Sequence, residues 1–148
     1  MTIKLDWVLR GEIAIGSAPK NEEDINKLKI YGINGILSLC SKEENPFNEN
    51  LKDFFKWKNI LLPDHKYKYP LNIDQLNLAL DSLYTLTREG SVYVHCLAGV
   101  ERSPLVCMGW LVKNHNLTPT QALDYLMNVH PGTNPLPEQL KLLYFLEK

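Results

Sequence analysis

The chain has 148 residues, 45% of them hydrophobic and 22% charged, with a formal net charge of −1. That length and balance suit one globular domain with its own core, and exclude a disordered or fibrous chain. A charge so close to zero provides no global field toward nucleic acid or an anionic surface, so nucleic acid is not an expected partner.

In chain order, Ile13-Ala14-Ile15 reads as a short strand, ended by Gly16-Ser17-Ala18-Pro19. Residues 21–31 read as a helix, with Asn21 as N-cap, Asp24 three residues on, and Gly32 closing it. Residues 33–40, rich in Ile and Leu, read as a strand. Residues 57–62 read as another, stopped by Pro63. Over 73–88 the apolar residues Ile73, Leu76, Leu80 and Leu83 form one helical stripe, with Asn72 and Gln75 as a capping box and Gly90 as the stop. Residues 92–95 make a central strand. Ser103 as N-cap and Pro104 as first residue open a helix to about His115 that is apolar almost all round, and so belongs in the interior. Thr118-Pro119-Thr120-Gln121 opens a further helix to Val129, and a last one covers 137–146. Tyr84, Trp110, Tyr125, Tyr144 and Phe145 lie at helical spacings and are assigned to the core. Strands alternating with helices predict a single-domain α/β fold, a mostly parallel central sheet flanked by helices. Its reactive loop is expected at the carboxyl end of the strands.

The chemistry concentrates between Val92 and Pro104, where an apolar run stops at His95-Cys96 and continues through Leu97-Ala98-Gly99-Val100-Glu101 to Arg102-Ser103-Pro104. A strand, a tight loop and a helix N-terminus aim backbone N–H groups and the positive end of a helix dipole at one point. A thiol there is expected to react as the thiolate. The Arg102 guanidinium offers two N–H donors to two phosphate oxygens in a planar fork. The N–H groups of Leu97, Ala98, Val100 and Glu101 form an anion nest, with Gly99 supplying the turn. Together these residues predict nucleophilic attack on phosphorus. A core Cys beside an unrelated surface Arg explains none of Gly99, Arg102, Ser103 and Pro104.

Expelling an alkoxide or phenoxide takes a proton, hence a carboxylic acid on a neighbouring loop. Asp64, in Leu61-Leu62-Pro63-Asp64-His65, follows a predicted strand one β-to-β crossover before Cys96. A turn Asp is its bland alternative. Asp74 falls in the first turn of a helix, Asp81 among that helix's polar positions, and Glu101 inside the loop, where its charge should repel phosphate. His95 is expected to fix the loop by hydrogen bonds or to be a satisfied core histidine. Ser103 is expected to donate its hydroxyl to the Cys96 sulfur as well as capping the helix. His115 and His130 are assigned no role. Tyr67 and Tyr69, interleaved with Lys66 and Lys68, either line the entrance or form a solvated loop.

His95-Cys96, five residues, Arg102-Ser103 resembles the signature of the cysteine-dependent protein tyrosine phosphatase superfamily, and the chain is similar to its small (atypical) dual-specificity phosphatases. The resemblance covers nearly the whole chain, at motif strength from Asp64 to Pro104, and implies one catalytic domain over 1–148. Trp7-Val8-Leu9-Arg10-Gly11 and Ile15-Gly16-Ser17 resemble the N-terminal segment of these enzymes, which usually carry Pro where this chain has Arg10. The family's general acid Asp implies that role for Asp64. The segment around Asn134 resembles one that braces the loop, although its spacing to Gln139 is one residue short.

Phosphotyrosine-restricted relatives are larger, which implies a shallow pocket here that accepts phosphotyrosine and also phosphoserine or phosphothreonine. Relatives acting on phosphoinositides or RNA 5′ ends tend to carry a base inside the loop. This chain has none and one acid, Glu101, so phosphoproteins rank above those substrates. Two other classes fit the motif less completely. A sulfurtransferase leaves Ser103 and Asp64 unexplained, and a non-catalytic phosphate-binding module usually lacks the Cys or the Arg that this chain keeps. Some lipid phosphatases of the superfamily have a Cys at the strand end held here by Cys40, closing a reversible disulfide with the nucleophile. The resemblance therefore implies Cys40 as a redox partner, against the simpler role of a small apolar core residue.

Three widely spaced cysteines, Cys40, Cys96 and Cys107, argue against a disulfide framework. His65, His95, His115 and His130 show no metal-ligand spacing, so no metal or cofactor is expected. With no signal-peptide apolar core and no run of about eighteen apolar residues, a monomeric cytoplasmic protein without a membrane segment is expected.

Overall fold

Side-chain alternation along the strands decides the architecture. A computed structural model describes residues 3–146. Five strands, β1 (Leu5–Leu9), β2 (Ile13–Gly16), β3 (Ile33–Ser38), β4 (Lys56–Asn59) and β5 (Ser91–His95), form one sheet in the order β1-β2-β5-β3-β4. Only the hairpin pair β1 and β2 is antiparallel; the other pairs are parallel. The single-domain α/β fold with a mostly parallel sheet therefore holds.

Ile13, Ile15, Leu37, Val92 and Val94 point to one face of the sheet, and Ala14, Ile36 and Tyr93 to the other. This period of two with both faces apolar is what a parallel sheet covered on both sides requires. The first face is covered by α3 (Ile73–Thr87), α4 (Arg102–Asn114), α5 (Pro119–Val129) and α6 (Pro137–Leu142) with its 3-10 continuation Leu143–Phe145. The second is covered by α1 (Glu22–Ile30) and by the short α2 (Asn48–Leu51) with its flanking residues.

Helix α4 is buried from Arg102 through Val112, as its all-round apolarity predicts. The capping boxes of α3 (Asn72 with Gln75) and α5 (Thr118 with Gln121) and the Asn21 cap of α1 stand where the sequence places them.

Four expectations need correction. Strand β1 and helix α2 have no counterpart in the sequence reading, because β1 is half-exposed on one edge and α2 is a single turn. The strands ending at Ser38 and Asn59 stop before Cys40 and Leu62. Helix α4 begins at Arg102, with Glu101 as its N-cap, so Ser103 lies inside the first turn. Of the aromatics assigned to the core, Trp110 is buried, but Tyr84, Tyr144 and Phe145 are exposed; their spacing marks the outer faces of α3 and the C-terminal turn.

Candidate active site

The parallel register sets Gly16, Ser38 and His95 side by side, with Asn59 beside Ser38. Four chain segments therefore leave the sheet on one edge, and their loops meet there. Ala18 N–H donates to Leu97 C=O at 3.1 Å, Leu39 N–H to His95 C=O at 2.9 Å, and Leu62 N–H to Leu39 C=O at 3.0 Å. Gly16 is required here, since a Cβ would stand 2.3 Å from the Tyr93 hydroxyl, which donates to Ser17 C=O.

Residues 97–101 wrap around the Cys96 thiol. Gly99 N–H donates to Sγ at 3.3 Å, and the Ser103 hydroxyl lies 3.2 Å from it. Gly99 has φ +78° and faces the Gly16 backbone, where a Cβ would come within 3.1 Å of Gly16 C=O. Both the backbone angle and the close approach call for glycine.

His95 is fully buried, and burial with the nearby Arg102 charge pushes its imidazole down to about 4. The ring is thus neutral near pH 7, and its neighbours fix the tautomer. Nδ1–H donates to Cys96 C=O at 2.8 Å, leaving Nε2 to accept from the Ser38 hydroxyl at 2.6 Å. Trp57 Nε1–H donates in turn to Ser38 Oγ at 2.9 Å. The strand-end histidine both fixes the loop and is a satisfied core group.

Arg102 is 4% exposed. Its Nη1 donates to Leu62 C=O at 3.0 Å and to Glu44 Oε2 at 3.3 Å, and its Nη2 to Glu44 Oε1 at 2.8 Å. Burial works against both charges. The mutual hydrogen bond outweighs it, raising the guanidinium's pKa and, with the Ser41 N–H, holding the Glu44 carboxyl below the usual range. Of the guanidinium's five donors, the second Nη2 proton and the Nε proton remain as a fork for an anion.

A pocket of about 320 Å³ is lined by Cys96 and the loop residues from Leu97 to Arg102 other than Gly99, together with Asp64, His65 and Lys66. The sheet edge thus brings Asp64 to the same pocket as Cys96. Its Oδ1 also accepts Lys66 N–H at 2.9 Å, so the turn role and the pocket position coexist. Glu101 does not stand free inside the loop. His65 Nδ1 lies 2.9 Å from its Oε2, and Gln139 Nε2 donates to its Oε1 at 3.0 Å.

Asn134 meets the loop through its backbone, whose N–H donates to Val100 C=O at 2.8 Å, while its side chain is exposed. Tyr67 and Tyr69 are exposed beside the acid loop. Cys40 is buried behind His95, its Sγ 4.0 Å from Nδ1 and 3.6 Å from Asn48 Nδ2. Burial, only partly offset by the Asn48 hydrogen bond, pushes this thiol up to about 11. Cys107 is buried in α4 with its thiol raised further.

Three residues that the sequence reading passed over belong to the site: Glu44 behind Arg102, Ser38 behind His95, and His130 behind Gly99. Glu44 had a weak local signal, an acidic pair on the loop after β3. The others had none, because their partners are remote in sequence.

The family model described as "Dual specificity phosphatase, catalytic domain" matches residues 13–148. The chain belongs to this family. Among curated relatives, this dual specificity phosphatase domain is 24% identical over 138 residues to phosphatidylglycerophosphate phosphatase PTPMT2 of Arabidopsis thaliana, covering 93% of this chain and 60% of that protein. It is 30% identical over 127 residues to dual specificity protein phosphatase 1 of the same plant, covering 83% of this chain and again 60% of the relative. The crystal structure of Tk-PTP in the active form superposes with a TM-score of 0.81 at 23% identity, over 97% of this chain and 95% of that one. That likeness establishes the shared fold.

Proposed function

We propose that this chain is one catalytic domain that hydrolyses phosphomonoesters through a cysteinyl-phosphate intermediate. One observation carries the reading: a thiol that accepts the Gly99 N–H lines one pocket together with an anchored guanidinium and the Asp64 side of the neighbouring loop. The Cys96 thiolate attacks phosphorus, and the ester P–O bond breaks as Asp64 hands its proton to the leaving oxygen. Water then attacks the phosphorus with Asp64 as base, and the P–S bond breaks. Loop N–H groups and the two remaining Arg102 donors stabilise charge on the equatorial oxygens in both steps. The Ser103 hydroxyl, 3.2 Å from Sγ, stabilises the departing thiolate. A reducing, cytoplasmic compartment that keeps Cys96 a free thiol belongs to the same proposal.

For the substrate we favour phosphotyrosine in proteins, with phosphoserine and phosphothreonine also admitted by the open pocket. The binding of Glu101 to His65 and Gln139 supports a second reading, an anionic phospholipid. The carboxylate that argues against highly charged substrates is already engaged, and Lys66 stands on the pocket wall. The named activity of the PTPMT2 relative points the same way.

Purified protein assayed with a chromogenic aryl phosphate should turn over, and Cys96→Ser should abolish turnover while retaining inorganic phosphate binding. Wild-type rates in that variant remove Cys96 from the mechanism. A panel of phosphopeptides against phospholipid dispersions decides between the substrates; hydrolysis of the dispersions alone selects the second reading.

A further inference from the structure

His130 ends α5 and is 8% exposed. Both of its ring nitrogens are engaged, and both partners are acceptors. Nε2 lies 2.6 Å from Gly99 C=O, and Nδ1 lies 2.7 Å from the Asp6 carboxylate on β1. A carbonyl has no proton to give, nor has a carboxylate, so each nitrogen must carry its own. A neutral ring satisfies only one of these contacts. The Asp6 carboxylate balances the cation, and it is the charged group that makes an ion pair with His130 among the described residues.

The Gly99 carbonyl belongs to the loop peptide whose N–H is that of Val100. A cationic donor on a carbonyl polarises its amide and makes the N–H on the far side a stronger donor. Gly99's own N–H holds the Cys96 sulfur, so the residue that His130 grips is also the one that touches the nucleophile.

We propose that His130 is kept as an imidazolium by Asp6 and is a positioning residue of the phosphate loop, locking Gly99 and strengthening the Val100 N–H toward the bound phosphate. The proposal rests on the loop being the anion site described above. It adds a charged brace reaching from β1 through α5 to the loop. Helix α4 and the Glu44–Arg102 pair brace the loop from its other end.

The test uses the intact protein with imidazole nitrogens labelled with ¹⁵N. At pH 7 the His130 ring should give the signature of two protonated nitrogens. A neutral tautomer overturns the proposal, whatever the enzyme's activity. Asp6→Asn, which keeps an acceptor of the same shape but removes the charge, should leave His130 with the signature of a neutral tautomer at pH 7. The variant should also weaken inorganic phosphate binding at pH 7 by about tenfold, in line with the loss of a charge-assisted hydrogen bond. His130→Gln should weaken phosphate binding at pH 7 at least as much, and its deficit relative to wild type should shrink at high pH, where the wild-type ring has also lost its charge. An imidazolium whose loss in Asp6→Asn leaves phosphate affinity unchanged also overturns the proposal, reducing His130 to packing. Neither readout needs turnover, so a failed phosphatase assay and a failed brace are separable outcomes.

Discussion

Glu44 grips Arg102 end-on, with Oε1 2.8 Å from Nη2 and Oε2 3.3 Å from Nη1, on the side of the guanidinium away from the phosphate fork. The contact fixes the plane of the guanidinium before any substrate arrives, so the cost of ordering it is met in the folded protein. Glu44→Gln keeps one acceptor but leaves a buried cation without its counter-charge. Loss of about 2 kcal/mol is expected, the low end for breaking a buried charge pair because Glu44 is partly exposed. That amounts to a roughly thirtyfold fall in kcat/KM and in affinity for inorganic phosphate. Steady-state kinetics and a phosphate titration on the Cys96→Ser background check it. Unchanged values in both leave the pair no role in anion binding.

Asp64→Asn retains an Oδ1 to accept the Lys66 N–H, so the loop should keep its shape. With alkyl or unactivated aryl phosphates, kcat should fall by on the order of 10²–10⁴-fold, the usual cost of losing a general acid. Leaving groups of low pKa need no proton and should show little loss. Uniform loss across leaving groups, measured as a flat rate ratio against leaving-group pKa, transfers the acid role to another residue.

His95 sets an acid limit on stability. Its folded-state value of about 4 lies below the ordinary 6.5, because burial and the Arg102 charge disfavour the cation. The unfolded chain therefore binds a proton that the folded one refuses. The contribution is present above pH 6.5 and is lost as pH falls toward 4, on the order of 3 kcal/mol in all. The Glu44 carboxyl, held below its usual range, adds a loss of the same sign at still lower pH. Denaturant melts between pH 7 and 4 should show this decline, and His95→Asn should flatten its upper part.

The Cys40 switch that the resemblance implies has a structural constraint. Cys40 is fully buried, hydrogen-bonded to Asn48 and pushed up to about 11, which makes it a slow thiolate. It also lies on the same sheet edge as Cys96, behind His95. We expect brief peroxide treatment to inactivate the protein, with recovery by thiol reductant, and a Cys40–Cys96 crosslink in non-reducing peptide maps. Cys40→Ser should let Cys96 oxidise irreversibly. If the crosslink is missing from the maps, Cys40 is a packing residue.

The phosphate loop could be read in the sequence because its parts are contiguous. A strand end, a turn and a helix start put Cys96, Gly99, Arg102 and Ser103 in one local unit whose geometry needs no distant partner. That Asp64 lines the same pocket as Cys96 could be read for a related reason, since one crossover between parallel strands returns the chain to the same edge. Capping boxes and the all-round apolar α4 were equally local. By contrast, Glu44, Ser38 and His130 act on residues 58, 57 and 31 positions away. No period or spacing links such pairs. Their roles arise when the β2-β5-β3 register brings separate strand ends level and α5 folds back over the loop. Glu101 shows the same division. As a letter in the sequence it is a charge beside a phosphate; in the fold His65 and Gln139 take up both of its oxygens. Local spacing determined which candidate reacting groups share one loop, and the tertiary structure decided which charges and protons those groups meet, because electrostatic partners are chosen by distance in space.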